Sequence, residues 1–342
     1  MAKVLIAGAG GYIGIPLCQK LLEQGHSVIA LDRFYFGKNR LKSIVENPQV
    51  TVVVGDIREF DPKILCGVDA VVDLAGLSND ASAEIDPELT RSINCEGGMR
   101  LARISKEAGV RRYIYSSSAS VYGHGVRDCL TEQDECRPQT LYAQSKLRVE
   151  DLLHKLAGPA FEVVIFRNST VFGLAPRMRF DLAINIMTLR AWKERVIYVM
   201  GGGEQWRPFV HVNDVVRALI QGIEESAELV AGEVFNVGGD DMNLQIRQLA
   251  QFVLDVIPNV TTHRIPDDPD KRTYHLSFAK IKQRLGFQPA TRVHEGIVEI
   301  KQALERGAIV GDDPTFYTLQ WYRSLLEWEK RLKDVTLNGH IL

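Results

Sequence analysis

Short apolar runs alternate with segments of helical periodicity along the chain, and this alternation restricts the fold more than any other feature. Strands are predicted at residues 4–7, 27–31, 50–54, 70–74, 113–116, 162–167 and 234–237, and helices at 13–22, 87–108 and 141–156. Because the strands are apolar at successive positions, both of their faces are expected to be buried. Strands of this kind separated by helices form a parallel sheet that is covered on both sides. The sequence therefore predicts an α/β protein built on a doubly wound Rossmann sheet.

The chain is too long for one hydrophobic core, and its pattern becomes less regular after about residue 175. Its 342 residues exceed the roughly 250–300 residues over which a single core keeps growing. Pro176, the glycine run at 201–203 and a proline-containing turn at 266–269 interrupt the periodicity. We expect a Rossmann domain over residues 1–175 with return segments at about 205–240, and a smaller interleaved lobe with the C-terminal helices over 176–342. The last of these helices is expected at about 315–333.

The charge and the cysteines argue against several classes of function. The formal charge of −2, from 41 basic and 43 acidic residues, provides no broad positive field for nucleic acid or an anionic membrane. No run of roughly 18 apolar residues occurs, so no membrane-spanning segment is expected. The five cysteines are an odd number without paired spacing, which favours reduced thiols, no metal site and a cytoplasmic protein. A disulfide or a metal site at Cys129 and Cys136 is the unfavoured alternative.

A glycine-rich stretch lies between the first predicted strand and the first predicted helix. Gly8, Gly11 and Gly14 are spaced three apart, with Tyr12 and Ile13 before the last of them. Missing side chains allow a tight turn and a close approach of the backbone to a pyrophosphate, which free N–H groups at a helix start can bind. The glycines alone would equally fit a plain turn, but strand, glycines, helix, second strand and terminal acid follow in the required order. The stretch therefore predicts a dinucleotide-binding loop.

Two aspartates follow the second and third predicted strands. Asp32 lies 18 residues beyond Gly14, where a carboxylate can accept hydrogen bonds from both hydroxyls of an adenosine ribose and would repel a 2′-phosphate. NAD is therefore favoured over NADP, although the adjacent Arg33 could partly neutralise Asp32. Asp56, followed by Ile57, is placed where its side chain could meet the adenine amino group.

A tyrosine and a lysine share one face of the helix predicted at 141–156. Tyr142 and Lys146 are four residues apart, so a phenol and an ammonium group are neighbours. To act as a base near neutrality, a tyrosine must lose about three pKa units, which costs about 4 kcal/mol. A cation roughly 4 Å away at an effective dielectric of about 20 supplies about that much, so we expect Lys146 to lower the pKa of Tyr142. Upstream, the hydroxyl-rich stretch 115–123 ends a strand at the ligand-binding edge of the sheet, where a serine can donate to a ketone or alkoxide.

Together these motifs resemble the extended short-chain dehydrogenase/reductases that modify nucleoside-diphosphate sugars, including enzymes like UDP-glucose 4-epimerase. The resemblance covers almost the whole chain, from residue 7 to residue 289. It implies that Tyr142 is the catalytic acid/base, that Lys146 lowers its pKa and holds the nicotinamide ribose, and that Ser118 binds the sugar oxygen. It also implies that Asn94 helps to position NAD. The loop beside the pyrophosphate would consist of Leu74, Ala75 and Gly76.

On the substrate side, the resemblance implies that Arg207 and Arg272 face the diphosphate of a nucleotide sugar. Planar guanidinium groups suit this role because they pair with phosphate oxygens bidentately, although ordinary surface arginines remain the alternative. The predicted substrate-binding residues are Ser78, Ser118, Thr170, Arg179, Arg207 and Arg272. His211, which lies between two valines, is expected to be a hydrogen-bonded structural histidine rather than a base.

Departures from the family pattern narrow the reaction. Where related dehydratases carry Asp-Glu, this chain has Ala119 and Ser120, which disfavours dehydration. Thr170 replaces a frequent asparagine, and the arginine-rich stretch 176–181 suggests an unusual sugar. The hypothesis is an NAD-dependent nucleotide-sugar 4-epimerase that acts through a transient 4-keto sugar. A nucleotide-sugar 4-dehydrogenase or 4-ketoreductase is the alternative, and a non-catalytic NAD-sensing regulator is a remote one. The resemblance also suggests a homodimer formed through the helices at 87–108 and 141–156.

Overall fold

The computed structural model describes residues 1–125, 128–266, 272–337 and 339–340. The strands are β1 Lys3–Ala7, β2 Ser27–Asp32, β3 Val50–Val54, β4 Ala70–Asp73, β5 Arg112–Ser118, β6 Cys129–Leu130, β7 Glu162–Asn168, β8 Thr170–Phe172, β9 Val196–Met200, β10 Trp206–His211, β11 Glu233–Val237, β12 Asn243–Gln245, β13 Thr261–Ile265 and β14 His275–Leu276. The helices are α1 Gly14–Glu23, α2 Lys42–Val45, α3 Asp80–Ala83, α4 Pro87–Thr90, α5 Gly98–Glu107, α6 Leu141–Leu156, α7 Ala183–Glu194, α8 Val212–Glu224, α9 Ala227–Val230, α10 Ile246–Val256, α11 Ala279–Leu285, α12 Val293–Glu305 and α13 Thr318–Val335.

Seven parallel strands form the central sheet in the order β11-β7-β5-β4-β1-β2-β3. Each predicted strand is present, with its bounds shifted by two residues at most. Along β1, Val4 and Ile6 enter one hydrophobic core, while Leu5 and Ala7 enter another on the opposite face. The predicted doubly wound α/β fold is therefore confirmed. The strand order reverses at β1, and the carboxyl ends of β1 and β4 border the crevice where such folds bind ligands.

The helix predicted at 87–108 is interrupted by a π-helical turn. It consists of α4, the π turn Arg91–Gly97 and α5. Its start is set by Asp86, whose carboxylate accepts hydrogen bonds from the backbone of Glu88 at 3.1 Å and of Leu89 at 2.9 Å. A π turn is a feature that often marks a functional site, and here it contains the buried Asn94. Helix α6 has the predicted bounds.

The remaining strands form smaller sheets. β8, β10 and β12 make a three-stranded sheet, and β9 pairs with β13 and β6 with β14. Among them lies a separate core that includes Ile197, Phe209, Leu249 and Ile297. β11 returns to the central sheet beside β7, so the chain passes back from these smaller sheets to the main one. The division of the chain at residue 175 stays a prediction, and residues 267–269 of the expected proline turn lie outside the described residues.

The terminal helix predicted at 315–333 is observed as α13 and lies on the surface. Its buried residues are Thr318 and Tyr322, and the Tyr322 ring packs against Tyr35 in the loop after β2. Trp321 donates from its indole nitrogen to the carbonyl oxygen of Tyr35 in that loop at 2.7 Å. Over the stretches that the structure describes, none of the helices has the length and apolar character needed to cross a bilayer.

Candidate active site

A cavity of about 540 Å³ opens at the carboxyl ends of the central strands and collects nearly all the predicted site residues. Those that line it are Gly8, Gly11, Tyr12, Ile13, Gly14, Asp32, Asp56, Ile57, Leu74, Ala75, Gly76, Ser78, Ser118, Tyr142, Lys146, Thr170, Arg179, Arg207 and Arg272. All of the predicted residues are described, and of them Asn94 alone lies outside the lining. Residues from sequence positions more than 260 apart therefore meet in one crevice.

The glycine-rich loop has the shape that a pyrophosphate requires. Gly8 has a φ of +86°, and a Cβ there would lie 2.8 Å from the carbonyl carbon of Leu74. A Cβ on Gly14 would lie 2.2 Å from the carbonyl oxygen of Gly8. The start of α1 therefore packs so closely on the turn that no side chain fits between them. No side chain among the described residues caps the start of α1, so its N–H groups face the cavity unpaired by a cap. These residues fit the diphosphate of a dinucleotide.

Asp32 is held by the backbone at the end of β2. Its carboxylate accepts hydrogen bonds from the backbone nitrogens of Gly10 at 2.9 Å and Phe34 at 2.5 Å. Desolvation raises the pKa of Asp32, and these hydrogen bonds oppose that rise. Each oxygen keeps an acceptor position for a ribose hydroxyl. The Arg33 guanidinium, which could have neutralised Asp32 in part, donates instead to Asp56 at 3.0 Å.

Two arginines surround Asp56. The backbone and Nε of Arg58 donate to Oδ1, both at 2.9 Å, while Arg58 Nη2 and Arg33 Nη1 donate to Oδ2 at 2.6 and 3.0 Å. A carboxylate offers about four acceptor positions, and these bonds fill them. An adenine amino group would therefore have to displace an arginine to reach the Asp56 side chain as predicted.

The tyrosine and lysine of α6 point into the cavity one helical turn apart. Thr140 caps α6 by accepting a hydrogen bond from the backbone of Ala143 at 3.2 Å, which places Tyr142 in the first turn. Lys146 Nζ donates to the carbonyl oxygen of Ser116 at 2.7 Å and lies 5.9 Å from the centre of the Tyr142 ring. The two side chains are thus neighbours, as their spacing predicted.

Burial dominates the pKa of Tyr142 in the ligand-free protein. Desolvation and then the Asp80 carboxylate raise the pKa of Tyr142 to about 12, while Arg179 and a hydrogen bond with Ser118 offset part of the rise. That Lys146 lowers the pKa of Tyr142 during the reaction stays a prediction. Desolvation also lowers the pKa of Lys146, against the attraction of two acidic side chains. These are Asp73 and Glu150.

Ser118 is oriented toward Tyr142 by its neighbour. Its hydroxyl oxygen accepts hydrogen bonds from the backbone nitrogen of Ser120 at 3.2 Å and from the Ser120 hydroxyl at 2.9 Å. The Ser118 proton is thereby left to be donated elsewhere. Ser118 and Tyr142 form a pair of hydroxyls that could hold one oxygen atom of a ligand between them.

The two predicted phosphate-binding arginines lie together at the other end of the cavity. Arg207 Nη1 donates to the backbone carbonyl oxygen of Arg272, and Arg272 Nη2 donates to Asp80 at 2.8 Å. Arg179 is paired with Asp181, its Nη2 donating at 2.6 Å. Ser78 and Thr170 also line the wall of the cavity.

Asn94 acts from behind the cavity wall. Its side-chain oxygen accepts from the backbone nitrogen of Leu77 at 2.7 Å, and its Nδ2 donates to the Leu77 carbonyl oxygen at 3.0 Å. It therefore fixes the loop that follows β4 and does not itself border the cavity. His211 is almost completely buried, and its Nε2 lies 2.6 Å from a carboxylate oxygen of Glu299, as expected for a structural histidine.

Arg177 and Tyr322 are among the lining residues that sequence reasoning missed. Arg177 belongs to the stretch 176–181, whose arginine content was the available indication. Tyr322 is on α13, which was expected to be a surface helix, and no local pattern distinguishes it from the other aromatic residues there. Its position in the cavity depends on how α13 docks against the loop after β2.

Fold and site together define an NAD-dependent enzyme of the Rossmann class. The chain belongs to the NAD dependent epimerase/dehydratase family, whose sequence pattern matches residues 4–238. This confirms the resemblance drawn from the motifs and the expectation of NAD as the cofactor.

Individual relatives carry different names within this family. The chain is 27% identical over 311 residues to an uncharacterized UDP-glucose epimerase, YtcB, of Bacillus subtilis, covering 86% of this chain and 95% of the relative. It is 28% identical over 311 residues to UDP-glucuronic acid decarboxylase 1 of Arabidopsis thaliana, covering 86% and 68% of the two chains. The solved structure of MoeE5 in complex with UDP-glucuronic acid and NAD has a TM-score of 0.77 at 25% identity, covering 89% of this chain and 99% of that one.

Proposed function

We propose that the protein is an NAD-dependent nucleoside-diphosphate-sugar 4-epimerase that acts through a transient 4-keto sugar. One observation carries the proposal: the hydroxyls of Ser118 and Tyr142 form a hydrogen-bonded pair in the same cavity as the dinucleotide loop. Such a pair suits a sugar hydroxyl that must lose its proton and regain it. The name of the Bacillus subtilis relative, a UDP-glucose epimerase, supports the same reaction type.

The nucleotide sugar would lie with its diphosphate against Arg207 and Arg272. Both guanidinium groups line the end of the cavity away from the glycine-rich loop, and two forks can hold a diphosphate bidentately. Arg272 would exchange its present partner, Asp80, for the ligand. Ser78, Thr170 and Arg179 would then surround the sugar.

In the proposed mechanism Tyr142 is the acid/base. Ionised Tyr142 removes the C4 hydroxyl proton while Ser118 donates to the C4 oxygen. After the 4-keto sugar has turned over to present its opposite face, Tyr142 returns that proton to the C4 oxygen. When bound, oxidised NAD supplies the hydride acceptor and a positive charge beside the tyrosine. A change in the pKa of Tyr142 from about 12 to near neutrality corresponds to about 7 kcal/mol. Lys146 would hold the nicotinamide ribose and contribute part of that field.

The side chains next to Ser118 favour epimerisation over elimination of water. Ala119 and Ser120 both line the cavity, and neither carries a carboxyl group. Asp181, an acidic residue of the cavity wall, is already paired with Arg179. An elimination would need an additional acid and base, and these positions do not supply them.

The test is incubation of the purified protein with catalytic NAD and a panel of nucleotide sugars, followed by NMR. The expected product is the C4 epimer without net NADH. Unchanged sugars would contradict the proposal. Stoichiometric NADH with a keto sugar would instead identify a 4-dehydrogenase, loss of carbon dioxide a decarboxylase, and NAD binding without turnover a regulator.

The role of Tyr142 is tested by Tyr142→Phe, which removes the acid/base oxygen and leaves the ring. We expect turnover to fall by at least 1,000-fold, within the usual range for loss of an acid/base together with its positioning, with NAD affinity retained. The matched control is Tyr198→Phe, at a half-exposed tyrosine on β9 outside the cavity lining, which should leave both unchanged. Full activity of Tyr142→Phe would exclude this tyrosine as the acid/base.

The homodimer and the cytoplasmic location stay predictions, as does the absence of nucleic-acid and membrane partners. A dimer through α4, α5 and α6 would be detected by light scattering of the purified protein.

A further inference from the structure

Arg177 is a buried cation for which the described part of the chain supplies no carboxylate partner. Its side chain is 2% exposed and lines the cavity. Nη2 donates to the Thr318 hydroxyl at 2.8 Å, and the guanidinium lies 3.6 Å from the centre of the Phe36 ring. Nε is buried without a hydrogen-bond partner. A buried charge with an unpaired donor is costly unless a ligand completes its contacts.

The neighbouring charges locate Arg177 along the length of the cavity. The Arg177 guanidinium packs on the ring of Phe36, in the loop that follows Asp32, and its partner Thr318 also donates to Asp181, which binds Arg179. Tyr322 is influenced by both arginines. Arg177 therefore lies toward Asp32, between that carboxylate and Arg179.

The cofactor has a matching order of groups. Its adenosine ribose belongs at Asp32 and its nicotinamide ribose at Tyr142 and Lys146, so its pyrophosphate must lie between them. The glycine-rich loop would hold the pyrophosphate from its own side alone. A cation in the cavity wall between the two ribose sites is the complement that the opposite side requires.

We infer that Arg177 binds the pyrophosphate of NAD from the side opposite the glycine-rich loop, and that Thr318 of α13 holds its guanidinium in place. The terminal helix thereby becomes part of the cofactor site. Thr318 also donates to Asp181 at 3.2 Å, so the same hydroxyl connects the Arg179–Asp181 pair with Arg177. The inference concerns the cofactor alone and holds for any reaction in the cavity.

The inference makes opposite predictions for stability and for binding. Burial lowers the pKa of Arg177 to about 10, which reflects the cost of its charge in the ligand-free protein. Replacing the guanidinium with an apolar side chain of similar size should therefore leave the ligand-free protein at least as stable. The same change should weaken the binding of NAD, because the pyrophosphate loses the cation that it contacts. A residue that served only packing or structure would not separate the two effects.

The experiment compares Arg177→Met with the unchanged protein by thermal unfolding without ligand and by calorimetric titration with NAD, ADP-ribose and UDP. We expect an unchanged or higher unfolding temperature, at least a tenfold loss of affinity for NAD and ADP-ribose, and unchanged affinity for UDP. Adenosine, which has no phosphate, should bind both proteins equally when followed by NMR.

Two further variants separate this inference from general damage to the C-terminal segment. Arg40→Met removes a cation that donates to Asp313 and Thr315, both at 2.6 Å, but lies outside the cavity lining. It should lower the unfolding temperature and leave NAD affinity within twofold. Thr318→Val keeps the Arg177 charge and removes its hydroxyl partner, and should lower the affinity for NAD two- to fivefold.

Three results would overturn the inference. Unchanged NAD affinity in Arg177→Met would exclude the proposed contact between Arg177 and the pyrophosphate. A loss of affinity for UDP alone would assign Arg177 to the nucleotide sugar. A failure of Arg177→Met to fold, with full NAD affinity in Thr318→Val, would make Arg177 a structural residue. None of these readouts requires turnover, so they stand apart from the outcome of the epimerase test.

Discussion

Breaking the buried ion pair between α6 and β7 should cost more stability than breaking any surface pair. Glu150 of α6 is 1% exposed and accepts hydrogen bonds from Arg167 of β7, from Nη2 at 2.7 Å and Nε at 3.2 Å. It also accepts a hydrogen bond from the Ser117 hydroxyl on β5. The perturbation is Glu150→Gln, which keeps the shape of the side chain and removes its charge. Arg167 would then remain buried, with the Tyr122 ring 5.0 Å away as its nearest aromatic neighbour.

The magnitude follows from the burial of both partners. Removing one member of a buried pair costs about 3–5 kcal/mol, because the other charge is left uncompensated. Glutamine keeps one accepting oxygen for Arg167, so the lower end, about 3 kcal/mol, applies. This corresponds to roughly a 100-fold change in the unfolding equilibrium constant.

The assay is urea-induced unfolding followed by tryptophan fluorescence. The matched control is Glu135→Gln, in which the carboxylate is 65% exposed and pairs with Arg137 at 2.7 Å, a surface pair whose loss should barely change stability because solvent screens it. The double variant Glu150→Gln with Arg167→Met should recover part of the lost stability, because no unpaired charge is left. The reasoning is refuted if Glu150→Gln costs no more than Glu135→Gln.

Two other substitutions test the cofactor site. Gly14→Ala should abolish measurable NAD binding in calorimetric titration, because its Cβ would lie 2.2 Å from the Gly8 carbonyl oxygen. The control Gly158→Ala, which has open space around it, should bind NAD normally. Normal NAD binding by Gly14→Ala would contradict the loop geometry. Burial alone would raise the pKa of Asp56, but hydrogen bonds from Arg58 and Arg33 outweigh it and hold the value at about 2. The depressed pKa stabilises the protein by about 2 kcal/mol above the unfolded pKa of about 3.9, and this stability is lost as the pH falls toward 2. Asp56→Asn should therefore be less stable than the unchanged protein in urea at pH 7, and a difference that does not shrink at pH 3 would count against the arginine contacts.

Much of the fold was predictable because its signals are local. The strands of the central sheet are buried on both faces, so each is a continuous apolar run with turn residues at its ends. The first glycines are equally local, since the close contacts of Gly8 and Gly14 are forced by the turn between β1 and α1. The spacing of Tyr142 and Lys146 places them on one helix face wherever that helix lies.

The electrostatics of the site could not be predicted in this way. Lys146 is the charged neighbour of Tyr142 along α6, yet after desolvation it is Asp80 that raises the pKa of Tyr142. Arg33 follows Asp32 in the chain, yet it pairs with Asp56, which lies after the next strand. In each case the nearest charge in sequence is not the nearest partner in space.

The sequence by itself determined the order of strands and helices, the dinucleotide loop and the residues available for chemistry. These features depend on backbone geometry and on the periodicity of burial, and both are set by residues close together in the chain. Only the tertiary structure decided which charges face one another. The π turn directed Asn94 to the back of the loop at Leu77, and the docking of α13 brought Thr318 to the Arg177 guanidinium. Those contacts depend on desolvation and on distances between segments far apart in the chain, and neither quantity is set by local pattern.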